Sequence, residues 1–97
     1  MIAFGRRWTV SVWTVGYLGK IKARCLGDGA MEHLPRAGDY WLSKDGQLEV
    51  LQVTHDPANR KIHVQVMPTI KELDQAGFAN DRATVRQAIR STFGRSR

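Results

Sequence analysis

Through residues 38–67 apolar and polar positions alternate as they do in β-strands, with turn residues between the runs. Tyr40, Trp41 and Leu42 are aromatic and aliphatic, which predicts a strand over 39–43. Asp45-Gly46 follows. An Asp-Gly pair between apolar runs marks a tight hairpin, because glycine accepts positive φ and aspartate tolerates it. A second strand is predicted at 48–54, with Leu48 and Val50 on one face and Leu51 and Val53 on the other. A strand apolar on both faces belongs in the middle of a sheet or under a second layer. Residues 55–60 make a turn: Pro57 has no backbone donor, and Asn59 suits the left-handed conformation that closes it. The third strand, 61–67, turns Ile62, Val64 and Val66 inward and Lys61, His63 and Gln65 outward.

The flanking segments supply the rest of the layer structure. Trp8, Val10 and Val12 alternate with Thr9, Ser11 and Trp13, predicting a strand over 8–15 with Trp8 in the core. This apolar run is too short to span a bilayer and is followed by Lys20 and Lys22 rather than a cleavage site, so a strand is a better reading than a targeting segment. Residues 20–26 alternate again. Ile21, Ala23 and Cys25 face inward and Lys20, Lys22 and Arg24 outward, and 27–37 form a loop. After Pro68 the period becomes helical. Thr69 and Glu72 form a capping box; Ile70, Leu73 and Ala76 give an apolar stripe over 70–76; Gly77 closes the helix, with Phe78 tucked onto the core. Asn80 or Asp81 caps a second helix, 81–93, with Val85, Ala88, Ile89, Thr92 and Phe93 on one face and Arg82, Arg86 and Arg90 on another. Residues 94–97 read as a frayed basic tail. The expectation is one α+β domain over 1–97: a strongly bent five-stranded antiparallel sheet or SH3-like partial barrel, then two C-terminal helices.

Charge changes this picture more than composition does. The net charge is +6 over 97 residues, and its layout is segregated. Residues 1–27 hold five bases and no acid, 82–97 hold five bases and no acid, and 28–81 hold nine acids against five bases. Basic ends around an acidic middle point either to an anionic partner or to complementarity within or between chains. Lys20, Lys22 and Arg24 serve equally as a phosphate-facing stripe or as the guard of a sheet edge. The single cysteine, Cys25, excludes an intrachain disulfide framework and fits a reducing, cytoplasmic compartment, as a core thiol.

Two resemblances bear on function. Residues 69–77 followed by Arg82-Ala-Thr-Val-Arg-Gln-Ala-Ile-Arg90 resemble a helix-turn-helix, which implies a second helix entering the DNA major groove. The match departs at the long connection 78–81 and at Asp74, where that motif carries a small residue. The same residues also read as an amphipathic pair covering the open sheet, with solvated arginines. The strand count is similar to small Tudor-type or SH3-like barrels, and less to OB-folds, which implies binding of nucleic acid or peptides through aromatics on a strand face. Trp13, Tyr17, Tyr40 and Trp41 are the candidate platform.

Catalytic and metal chemistry finds little support. His55 and His63 flank a turn and face one another across the hairpin in the simplest register. With His33 they still make no zinc set. His55-Asp56 has no neighbouring nucleophile, and the serines have no elbow glycines. The reading is a non-enzymatic domain without a cofactor. It binds DNA or RNA through phosphate contacts from Lys20, Lys22, Arg24, Arg82, Arg86 and Arg90, aided by stacking. The alternatives are a homodimeric interaction module, whose strand edges extend a sheet across a two-fold axis, and a small-ligand-binding protein.

Overall fold

The computed structural model describes residues 9–30, 35–44 and 46–93. Trp8, His33 and the tail at 94–97 lie outside the described residues. Five strands come first: β1 (Thr9–Thr14), β2 (Cys25–Ala30), β3 (Tyr40–Ser43), β4 (Gly46–Asp56) and β5 (Lys61–Val66). Two helices follow, α1 (Ile70–Gln75) and α2 (Arg82–Phe93). The strands form one sheet in the order β2-β1-β5-β4-β3, curled into a half-barrel, and the α+β architecture with two C-terminal helices is the one the pattern predicts.

The sheet is mixed. β1 runs parallel to β5, with Val10 beside Ile62 and Val12 beside Val64, while the other three pairings are antiparallel. Alternation along a strand is the same for either sense of pairing, so the pattern carries no sign of this join. A parallel pair needs a long crossover, and here β2, β3 and β4 together provide it.

The second strand is displaced from its expected place at 20–26. β2 starts at Cys25 and runs through Gly27-Asp28-Gly29, the segment expected to be loop. Residues 20–24 instead close a small turn in which only Tyr17 and Ile21 bridge. Leu18 and Gly19 both take positive φ, 51° and 70°, which turns the chain before the predicted strand begins. Ile21 is buried as expected, but Ala23 and Cys25 are exposed. The β4–β5 turn closes on Arg60, at φ 52°, rather than on Asn59, whose side-chain amide donates to Asp56 (2.8 Å). In the β3–β4 hairpin Gly46 pairs with Ser43, so it stands at the start of β4 with φ 100°.

The core has two compartments. Val10 and Val12 of β1, Leu48 and Val50 of β4, and Ile62, Val64 and Val66 of β5 fill the inside of the curl. Leu26, Trp41 and Val53 pack against them. The second compartment joins the sheet to the helices through Val15, Ile21, Leu51 and Met67 below and Leu73, Val85 and Ile89 above. A register shift between Val50 and Gln52 explains the division in β4. One extra residue there leaves Leu51 alone facing the helices and returns Val53 to the side of Leu48 and Val50, opposite to simple alternation.

The helices start and stop where their chemistry dictates. The Thr69 hydroxyl accepts from the Glu72 N–H (3.0 Å), and the Glu72 carboxylate accepts from the Thr69 N–H (3.0 Å). Gly77 follows at φ 93°. Leu73 is fully buried, whereas Ile70, expected on the same stripe, is 52% exposed. Thr92 is exposed too, and its hydroxyl donates back to the Ala88 carbonyl (3.2 Å). Leu73→Ala is expected to lower unfolding stability by about 2–5 kcal/mol, because it empties the junction of both helices with the sheet. Ile70→Ala should stay within about 0.5 kcal/mol. Urea titration of both variants checks this, and equal effects would mean that the apolar stripe is placed wrongly.

Candidate functional site

The connection between β1 and β2 is held by specific bonds. The Tyr17 N–H donates to the Ile21 carbonyl (2.9 Å) and the Lys20 N–H to the Tyr17 carbonyl (2.9 Å). The Thr14 N–H donates to the Arg24 carbonyl (2.9 Å), and the buried Thr14 hydroxyl accepts from the Arg24 N–H (3.0 Å). At Gly16 a Cβ would lie 3.0 Å from the Ile21 carbonyl oxygen, so a side chain there would push the loop back by a few tenths of an ångström. Residues 20–24 are thereby fixed against the end of β1, next to Trp13, whose register partner on β2 is Cys25.

Two depressions meet at this loop. One, of about 340 Å³, lies against α1 and is lined by Lys20, Lys22, Arg24, Glu72 and Gln75. Lys20 places its ammonium 5.8 Å from the Phe78 ring centre, and Phe78 meets Tyr17 edge-on (centroids 5.8 Å, 71°). The other, of about 420 Å³, lies on the outer face of the sheet between Trp13 and Phe93, with Thr54, His63 and Gln65 beneath. Ala23 borders both. Register explains the second set. Trp13 stands beside Gln65, and His63, flanked by Ser11 and Thr54, is one row further along β5. Among the described residues no hydrogen bond engages the Gln65 or His63 side chain, so two half-buried polar groups face a groove with their hydrogen-bonding capacity open.

The candidate cations separate into two kinds. Arg24, Arg82 and Arg90 are ion-paired within the chain. The Arg24 Nε donates to Glu72 (3.2 Å), Arg82 grips both Asp74 oxygens (2.7 and 2.8 Å), and the Arg90 Nε is shared between the Glu49 oxygens (2.9 and 3.0 Å). Arg86 is half-buried, and its Nε has no partner among the described residues. Lys22 is exposed. Three of the six candidate cations are therefore paired with carboxylates of the acidic middle segment. Glu72 and Asp74 are two positions apart on α1, about 200° around the helix. Arg24 and Arg82 consequently reach α1 from opposite sides, and the two basic segments do not merge there into one groove. A helix-turn-helix would offer the α2 arginines to base edges, but Arg82 and Arg90 are turned to carboxylates of their own chain.

The four aromatics do not form one platform. Tyr17 is half-buried against Phe78, and Trp41 packs into the inner core. Trp13, 38% exposed, and Tyr40, 61% exposed, stand on strands with two others between them. His55 and His63 are also apart. Their register partners are Ile62 and Thr54, so they occupy opposite faces of the hairpin. Among the described residues no cluster of three or more His, Cys, Asp or Glu side chains is placed to hold a metal ion, and no helix is long and apolar enough to cross a membrane.

Gln65, His63, Thr54 and Phe93 were not legible as site residues. The outward face of β5 was, but its alignment with Trp13 depends on the parallel join. The chain matches no family model, and comparison with characterised proteins and with solved structures finds no significant relative.

The ion pairs set an acid-side stability limit. The Arg82 hydrogen bond holds Asp74 below its usual range. At Glu72 burial pushes upward, but the Arg24 guanidinium and the Thr69 donors outweigh it, and the net shift is downward. Carboxylates depressed in the folded state contribute stability that is complete above their unfolded values, about 4, and is lost as pH falls through the lower folded ones. The melting temperature should fall below about pH 4, and less steeply in Glu72→Gln/Asp74→Asn. Identical slopes in calorimetry would show that these pairs carry no linked stability.

Proposed function

We propose that the chain is a small non-enzymatic domain that binds single-stranded nucleic acid at the junction of the two depressions. The observation that carries this reading is the juxtaposition of an exposed Trp13 with the Lys20–Lys22–Arg24 loop, across the shared border at Ala23. Stacking on an aromatic ring beside a positive track is the general means of holding unpaired bases, since every base offers a π-face and every phosphate a charge. Trp13 takes a base. Lys20 and Lys22 face the phosphates. Gln65 and His63 offer donors and acceptors to the base edge. The volume of about 420 Å³ lies within the range of small-molecule pockets and accommodates one nucleoside unit. A duplex keeps its bases stacked and has nothing to offer Trp13. Arg82 and Arg90 of α2 act here as structural ions.

Fluorescence anisotropy with a labelled single-stranded oligonucleotide of mixed sequence tests the reading. Trp13→Ala should weaken binding on the order of ten-fold or more, with Trp13→Phe largely retaining it. Lys20→Ala and Lys22→Ala should each flatten the logarithmic salt dependence by about 0.7. Arg82→Ala/Arg90→Ala should stay within about two-fold. Loss confined to the α2 variants, or equal affinity for duplex, contradicts it.

A further inference from the structure

We infer that His63 is the proton-linked contact of the outer groove: it takes up a proton when an anionic strand seats there, so binding tightens as pH falls. The inference rests on the reading of that groove as the place where a single strand binds. Among the described residues that line the groove, His63 is the one ionisable side chain. The others bring aromatic rings, aliphatic groups, hydroxyls and one amide. Such a floor is neutral while the imidazole is neutral, and positive once it is protonated.

Register fixes what His63 meets. On one side its partner is Ser11 of β1, and on the other Thr54 of β4. Gln65 follows on β5 in the row shared with Trp13. The charged groups on this face lie one row away in the other direction, where Asp56 and Lys61 stand opposite each other with opposite signs. Asp56 also accepts from the Asn59 amide (2.8 Å). Beyond β1, Asp28 is the register partner of Ser11 on β2. The end of α2 brings Phe93 to the groove, without a charge.

Two properties of this position make the proton count. His63 is half-buried, so a charge on it is screened less than one on an open surface. Its ring also has no hydrogen bond among the described residues, so adding a proton displaces no existing contact. A neutral imidazole has one donor and one acceptor, whereas the protonated ring has two donors. Phosphate and base carbonyl oxygens are acceptors, and they bond more strongly to a charged donor than to a neutral one. An anion in the groove therefore favours the protonated ring, and by reciprocity the proton favours the anion. Lysine and arginine stay charged across the neutral range, which leaves imidazole to supply the pH dependence.

Anisotropy with the labelled single strand, repeated from about pH 8 to about pH 5.5, is the test; this window spans the ordinary imidazole range. The dissociation constant of the parent chain should fall on the order of ten-fold across it, and the logarithmic salt slope should steepen by about 0.7. His63→Gln, which keeps polarity and lacks the charge, should show neither change. His63→Lys should bind tightly at both ends of the window. His55→Gln, on the other face of the hairpin, should keep the parent profile. In the parent chain, the His63 ring signals should move to the position of the protonated imidazole when oligonucleotide is added at about pH 7, a readout that needs no variant to fold. A pH profile that survives in His63→Gln, or ring signals that stay put during Trp13-dependent binding, overturns the inference and leaves the Trp13 reading intact. Absence of Trp13-dependent binding at every pH overturns both.

Discussion

The parallel ladder between β1 and β5 is the constraint on which the other features depend. It joins positions far apart in the chain, Thr9 beside Lys61 and Thr14 beside Val66, and so fuses an N-terminal pair of strands to a three-stranded meander. Neither unit has a closed core alone. Together they bury Val10, Val12, Ile62, Val64 and Val66 inside the curl. The same ladder puts Trp13 beside Gln65 and, through the rigid start of the next loop, brings the Lys20–Arg24 segment to the rim of the outer groove. A non-local pairing of this kind closes a long loop before it yields any contact energy, so it carries a larger entropic cost than the hairpins do.

Much of the architecture was legible in the residues themselves. Asp45-Gly46, the alternation at Ile62, Val64 and Val66, and the Thr69–Glu72 box are local signals, and each names its element without knowledge of the rest of the chain. The failures share one physical cause, which is that they concern pairings between distant segments. Alternation at Ile21, Ala23 and Cys25 mimics a strand, but the turn at Leu18-Gly19 and the clamp from Thr14 hold Ile21 and Ala23 off the sheet, and Cys25 joins it only as the first residue of β2. At Leu51 a single inserted residue reverses a face assignment, and no composition signal marks it.

The charge layout shows the same limit. Basic ends and an acidic middle were visible at once, and intramolecular complementarity was one of the two readings they allowed. Among the described residues three pairs realise it, spanning 48 residues for Arg24–Glu72, 41 for Arg90–Glu49 and 8 for Arg82–Asp74. Exposed pairs of this kind add little stability one by one, and their main effect is orientation: they set α1 and α2 against the sheet and direct the arginines away from a shared surface. The proposed site is smaller than the sequence suggested: two lysines, one tryptophan and the polar row of β5.

Binding of a single strand at that site is read residue by residue in a nitrogen–proton correlation titration with a short single-stranded oligonucleotide. The predicted result is progressive, salt-sensitive shifts of the Trp13 indole N–H, the Gln65 side-chain amide and the backbone amides of Lys22 and Ala23, with the Arg82, Arg86 and Arg90 signals of α2 unmoved. Shifts concentrated on α2, or none at low salt, would contradict it.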